Sequence, residues 1–166
     1  MANSQAESAD FLAPPAKSLH VEHLCDVVLP FTIQPQVFET PLGTREIIVA
    51  DEGTVIGPRL RGSIWPGYHI DGLWSSDGVG QGPASGIIHT EDGADILMTA
   101  AGKLPPSGRE PQQVAHTEEH KTWMNGWATT FFETGAAKYM WLNSTVAVMQ
   151  VGFIRSEYFL RIFRLP

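Results

Sequence analysis

Cysteine is nearly absent from this chain. A single thiol, Cys25, stands among 166 residues, so no disulfide can close within the chain and no multi-cysteine metal site is available. Charge is scarce too. Asp, Glu, Lys and Arg make up 17% of the residues, and the balance is acidic, 18 Asp and Glu against 11 Lys and Arg. That balance argues against a partner gripped through its phosphates, nucleic acid first among them. No run approaches the ~20 apolar residues that a helix needs to cross a bilayer. The opening MANSQAESAD carries neither the basic flank nor the apolar stretch of a secretory signal. The expectation is a cytoplasmic protein with no membrane partner, in which the sequon Asn143-Ser144-Thr145 is accidental.

Helical periodicity is also missing, apart from a weak stripe across Gln112 to Trp123. No glycine-rich phosphate loop joins a strand to a helix and no G-x-S-x-G elbow occurs, so nucleotide hydrolysis and serine-esterase chemistry have no support. No cofactor motif is present, and none is expected to be used.

What the chain does have is 16 glycines, 12 prolines and 5 tryptophans in a composition 43% hydrophobic. At this length one core can remove roughly 70% of the unfolded surface from water, which needs no metal or disulfide staple. Residues 1–18, rich in Ala, Ser and Glu with Pro14-Pro15, read as a mobile tail, and residues 19–166 as one domain. Short β-like runs follow: Leu24 to Leu29, Phe31 to Phe38 around Pro35, Arg45 to Ala50, Arg59 to Trp65, Gly72 to Ser75, Ser85 to Thr90, Ile96 to Ala101, Met124 to Phe132, Ser144 to Gly152 and Tyr158 to Leu165. Asp77-Gly78 and Asp92-Gly93 fit hairpin turns. The pattern predicts an all-β fold, a single antiparallel barrel in preference to a sandwich. The last strand carries large apolar groups on both faces, which suits a lumen on one side and packed protein or a second copy on the other, so a homodimer is a reasonable expectation. Gly102 to Trp123, with Pro105-Pro106 and Pro111, reads as one long loop, either a cover for a cavity mouth or a plain surface insertion.

Several residues could carry chemistry, each with a bland alternative. His116-Thr117-Glu118-Glu119-His120 formally matches an inverted zinc-peptidase motif, but it follows a proline-rich loop and lacks an evident third ligand, so no metal is assigned. His20 and His23 would point to opposite faces of a strand. Cys25, flanked by Leu24, Val27 and Val28, reads as a small buried hydrophobe. Arg59 and Arg61 share a face if Gly57 to Trp65 is extended; inside a barrel they would need a bound anionic or carbonyl group, or structural acids such as Glu133 or Asp71. Trp65, Tyr68, His69, Asp71 and Trp74 mix flat apolar faces with proton donors and acceptors, which suits a pocket for a flat organic ligand and equally suits core aromatics under a wet rim. His89 adjoins Ile87-Ile88 and is either a satisfied core histidine or a catalyst. Trp127 and Phe131 are further candidate walls.

The longest distinctive string is Phe132-Glu133-Thr134-Gly135-Ala136-Ala137-Lys138-Tyr139-Met140-Trp141-Leu142-Asn143. With Gly57-Pro58-Arg59-Leu60-Arg61-Gly62 and Thr90-Glu91-Asp92-Gly93 in the same order, it resembles the signature of the bacterial and fungal family called domain of unknown function 3237. The resemblance spans about Leu19 to Leu165 and implies a small antiparallel barrel similar in plan to the calycins (the lipocalin-like barrels), which hold apolar ligands inside. The chain departs from that family at Tyr68-His69-Ile70-Asp71 and in the Gly102 to Trp123 stretch.

If the motif segment is extended, Tyr139, Trp141 and Asn143 share one face and could bind a carbonyl or phenolate oxygen, with Glu133 beside an arginine as a base. The alternative is a structural corner in which Glu133 satisfies backbone N–H groups while Tyr139 and Trp141 plug the barrel end. The functional expectation is a cofactor-independent isomerase, cyclase or lyase, cycloaddition included, acting on an apolar or aromatic small molecule with a phenolic, enolisable or quinone-like part. Arg61, Glu133, Tyr139, Arg59 and His89 are its catalytic candidates. Trp65, Tyr68, His69, Asp71, Trp74, Trp127, Phe131, Trp141 and Asn143 are its binding candidates. The alternative is a non-catalytic carrier with the same lumen, or a filled barrel serving as an interaction module.

Overall fold

The structure, a computed structural model, describes residues 18–106, 122–154 and 157–166. The expected tail, apart from Ser18, lies outside the described residues, as do His116 and His120. The strands are β1 (Glu22–Pro30), β2 (Gln36–Thr40), β3 (Gly43–Val49), β4 (Gly53–Ile56), β5 (Gly62–Ile64), β6 (His69–Trp74), β7 (Gly80–Thr90), β8 (Asp95–Leu104), β9 (Thr122–Glu133), β10 (Ala147–Ile154) and β11 (Glu157–Arg164). A 3-10 helix, Ala137–Ser144, links β9 to β10.

All pairings are antiparallel, those of consecutive strands and those that join β1 to β11 and β4, β3 to β6 and β5 to β7 alike. Followed from β7 through β5, β4, β1, β11, β10, β9 and β8, the sheet returns to β7 and closes an eight-stranded barrel. Strand β7 is also a branch point. Its C-terminal residues Ile88 to Thr90 pair with β5 inside the ring. Its N-terminal residues pair with β6, and β6 continues outward through β3 to β2. One end of the barrel is thus walled by β5 and β4, and the other by a wing of β6, β3 and β2.

Alternation along each strand then decides what the interior contains. At the β5 end the inward positions are large: Leu24, Ile64, Ile88, Ile96, Met98 and Ile162 are wholly buried, and Leu60 and Leu142 close the core from the connecting segments. Leu142 comes from the 3-10 helix, which lies across this end of the barrel.

The expected barrel is present, and several local expectations change. The run Arg59 to Trp65 shortens to Gly62–Ile64, because Pro58 removes a ladder donor and fixes its own φ. Arg59 and Arg61 therefore flank buried Leu60 in a turn, and both are exposed, outside the lumen. The segment Tyr139 to Asn143 is helical where an extended reading put its polar groups on one face. Strand β4 was not anticipated. Both ends of the expected Gly102 to Trp123 loop are strand, since β8 runs on to Leu104 and β9 begins at Thr122, and residues 107–121 of it lie outside the described residues.

Cys25 has no exposed surface, and burial, with the neighbouring Asp26 carboxylate adding to it, pushes its thiol up to about 12. The thiol is the wrong form and in the wrong place for nucleophilic attack. The native protein is expected to show no reaction with an aromatic disulfide reagent at pH 8, and one reacting thiol after unfolding in urea. Labelling of the native chain at the rate of a free thiol would contradict this packing.

Candidate functional site

The wing end of the barrel holds a cavity of about 110 Å³, partly open to solvent, and it exists because the inward residues there are small. Strand β7 turns Gly80, Gly82 and Ala84 towards it, β8 turns Ala100 and Gly102, and β9 contributes Ala128. The opposite wall is apolar and bulkier, with Ile48 from β3, Ile70 from β6, Met149 and Val151 from β10, and Leu160 from β11.

Two glycines are required by aromatic neighbours. A Cβ on Gly86 would stand 2.5 Å from the Tyr68 ring, and one on Gly80 would stand 2.8 Å from the Trp74 indole. The rings of Tyr68 and Trp74 thus lie over bare backbone of β7, which holds both aromatics against the cavity they line.

Into this apolar space projects one carboxylate. Glu46, on β3 in phase with buried Ile48, is 5% exposed. The Trp74 indole Nε1–H donates to its Oε2 at 3.0 Å. Across the lumen stands Tyr158 of β11, packed against Phe31 with ring centroids 5.5 Å apart. Burial drives the Tyr158 phenol well above its ordinary ionisation range, and the Glu46 carboxylate pushes it further. Burial alone does the same to Tyr68. Both phenols therefore stay protonated at neutral pH and can serve as hydrogen-bond donors.

The structure divides the sequence candidates. Tyr68 and Trp74 line the cavity. Trp127 borders it, yet 51% of its surface is exposed, and alternation with Ala128 turns its side chain outward. The remainder lie elsewhere. Asp71 faces away from the lumen and pairs with Arg45 at 2.8 Å, and His69 and Phe131 are exposed on outer faces. His89 Nδ1 meets Asp95 Oδ1 at 2.7 Å, with exposed Trp65 at 5.8 Å from its ring. Arg61 approaches Glu91 at 3.7 Å on the surface.

The motif residues gather at the far end of the barrel. Tyr139 donates its hydroxyl proton to Asp92 Oδ1 at 2.8 Å, and Thr90 donates to the same oxygen at 2.7 Å. Lys138 bonds the other Asp92 oxygen, and it leads the contacts that hold the Asp92 carboxyl far below the usual range. Asn143 accepts from the Thr134 amide at 2.8 Å and donates to the Thr134 carbonyl at 2.9 Å. The Arg59 guanidinium stacks on Trp141 with its carbon 4.0 Å from the ring centroid, and Glu133 is exposed. Among the described residues no group of three His, Cys, Asp or Glu side chains is placed to hold a metal.

Two lumen residues that sequence reasoning missed, Glu46 and Tyr158, share a signal: each is in phase with buried residues of its own strand, Ile48 for the first and Leu160 and Ile162 for the second. The Glu46–Trp74 bond is testable alone. Trp74→Phe keeps the ring and removes the donor, which is expected to cost about 1–3 kcal/mol because a buried acceptor loses one of its hydrogen bonds. A urea midpoint unchanged from the parent would show that the bond contributes nothing.

The family profile described as "Protein of unknown function (DUF3237)" matches residues 19–165. No curated protein matches the chain. Solved structures do. A beta-barrel like protein from Acinetobacter baumannii superposes with a TM-score of 0.75 at 23% identity, covering 93% of this chain and 99% of that one. A protein with unknown function from Clostridium acetobutylicum gives 0.76 at 20% identity, over 89% and 100%. An enzyme from Penicillium herquei gives 0.67 at 18% identity, over 93% and 100%. At these identities the likeness is one of fold.

Proposed function

The chain belongs to the DUF3237 family, and from that premise we propose that it is a cofactor-independent enzyme of isomerase, cyclase or lyase type, acting on an apolar small molecule with a phenolic, enolisable or quinone-like part. The observation that carries this reading is Glu46, a carboxylate held by an indole N–H in a lumen walled mainly by Ile, Met, Val, Leu, Ala and Gly, with the rings of Tyr68, Trp74 and Tyr158. Burying a carboxylate is costly, and apolar packing alone would not place one there. A group fixed in that position can accept a proton from a bound C–H or O–H and return it elsewhere on the same molecule. Such a transfer balances without a cofactor. Tyr158, kept protonated, can donate to the oxygen on which charge develops. The cavity contributes by orientation, which in well-aligned cases is worth about 7–11 kcal/mol. The solved relative described as an enzyme has the same fold and adds to this reading.

The cavity lining is almost wholly apolar, and that feature also favours a second reading, a carrier that holds the same class of compound without turning it over.

Proton exchange separates the two. With 1-tetralone as probe in D2O, the protein is expected to accelerate loss of the α-proton NMR signal, and Glu46→Gln to lower that rate by about 10²–10⁴-fold while ketone binding changes by no more than a few-fold. Saturable binding with exchange at the protein-free rate would support the carrier instead.

A further inference from the structure

We infer that this chain pairs with a second copy of itself through the open edge of β2, the two strands lying side by side and antiparallel on a two-fold axis at Phe38. The inference goes beyond the reading of the lumen and does not depend on it.

The first ground is which backbone groups are left over. Strand β2 ends the sheet, paired with β3 and with no other strand. Thr40 and Gly43 are partners across a two-residue turn, which requires that they exchange both of their hydrogen bonds. Alternation from that pair also turns the N–H and C=O groups of Phe38 and Gln36 towards β3, and it turns those of Val37 and Glu39 outward. Among the described residues no other group bonds these outward atoms. Beyond its short length and the prolines that bracket it, β2 has none of the guards of an edge strand. It carries no Lys or Arg, pairs without a bulge, and bears Phe38 with 52% of its surface exposed.

The second ground is that β2 is complementary to itself in a single register. With Phe38 opposite its counterpart, Val37 of each copy stands opposite Glu39 of the other. These are the residues whose groups face outward, so each such pair exchanges two bonds and about four join the copies. Phe38 occupies the non-bonded position between them, where opposed side chains come closest and an aromatic pair is favourable. Pro35 falls opposite Pro41, so the two residues that lack a donor end the ladder together. A slip of two residues sets Glu39 against Glu39 in one direction and against Pro35 in the other. A slip of one sets outward groups against groups already bonded to β3.

Charge agrees with the same register. Glu39 is the only ionised side chain of β2; it accepts from the Thr44 hydroxyl at 2.8 Å on its own sheet and faces Val37 across the edge. A foreign strand would have to match the proline, donor and charge pattern by chance, whereas a second copy matches it by its own sequence. The wing that walls the lumen then runs through β2 into the same wing of the second copy as one sheet.

An edge contact of this length is small, so monomer and dimer are expected to exchange in solution. Sedimentation velocity from about 10 μM to about 1 mM protein, with amide hydrogen exchange at both ends of that range, tests the inference. The parent is expected to shift from monomer towards dimer, and the Val37 and Glu39 amides to gain protection as it does, while the Phe38 amide is protected throughout. Val37→Pro removes an outward N–H from each copy and leaves the β2–β3 ladder whole. It is expected to raise the dissociation constant at least about tenfold and to leave the urea midpoint of the dilute protein unchanged. Phe38→Lys sets like charges together on the axis and is expected to weaken the dimer likewise, which keeps the test decisive if the proline variant misfolds. A parent that stays monomeric at the highest concentration, or a dimer that persists undiminished in either folded variant, overturns the inference.

Discussion

A small antiparallel barrel fills its own interior unless its inward positions are kept small, and here that restriction is confined to one end of three neighbouring strands. Along β7 the inward series changes from Gly80, Gly82, Ala84 and Gly86 to Ile88 and Thr90. Along β8, read in the opposite direction, it changes from Gly102 and Ala100 to Met98 and Ile96. The same sheet therefore encloses a cavity at one end and a packed core at the other. Everything proposed about function depends on that gradient. It leaves a cavity, it lets Tyr68 and Trp74 lie on bare backbone, and it sets Glu46 in a mainly apolar space.

The packed end explains how such an interior can be tolerated. An unfilled lumen forfeits dispersion contacts and apolar burial, and the loss must be offset elsewhere. The 3-10 helix puts Leu142 into the core, Tyr139 reaches Asp92 in the β7–β8 turn, and the Asn143 amide clamps Thr134 at the end of β9. The Tyr139 contact ties the helix to a turn distant in sequence, and the Asn143 contacts close the short link back to β9. These are residues of the longest motif in the chain, and their contacts are those of a corner that holds the barrel shut while the other end stays open. Division of labour along the barrel axis follows from the register: in the β7–β8 pairing, the cavity-lining Ala84 faces Ala100, and the corner-side His89 faces Asp95.

The strands were legible because period-two patterning and Gly or Pro punctuation are local signals. Where local chemistry and the fold disagreed, the fold prevailed. Arg59 and Arg61 alternate as a strand would require, but Pro58 and Gly62 bracket them and Leu60 alone turns inward. Tyr139, Trp141 and Asn143 alternate as well, yet that spacing is also compatible with a short helix, and only the packing of Leu142 decides the matter. Glu46 was hidden by its strand: Arg45, Ile47 and Val49 look no more polar than Glu46, Ile48 and Ala50, so the inward face could not be chosen without knowing that Tyr158 and Leu160 of β11 line the cavity on that side. The glycine and alanine rows were visible as a period-two series, but glycines in strands usually mark bends, and their alignment into one floor depends on the register of three strands.

The central claim is that the cavity is real space held open by small side chains, and the stability of a filled variant tests it most directly. Ala84→Leu adds three carbons at a lining position. If the space is there, its urea midpoint is expected to equal or exceed that of the parent, because added apolar surface is buried without displacing neighbours. If the inward face of β7 is instead tightly packed, the same change overpacks the barrel and lowers stability by about 1–3 kcal/mol, and the account fails.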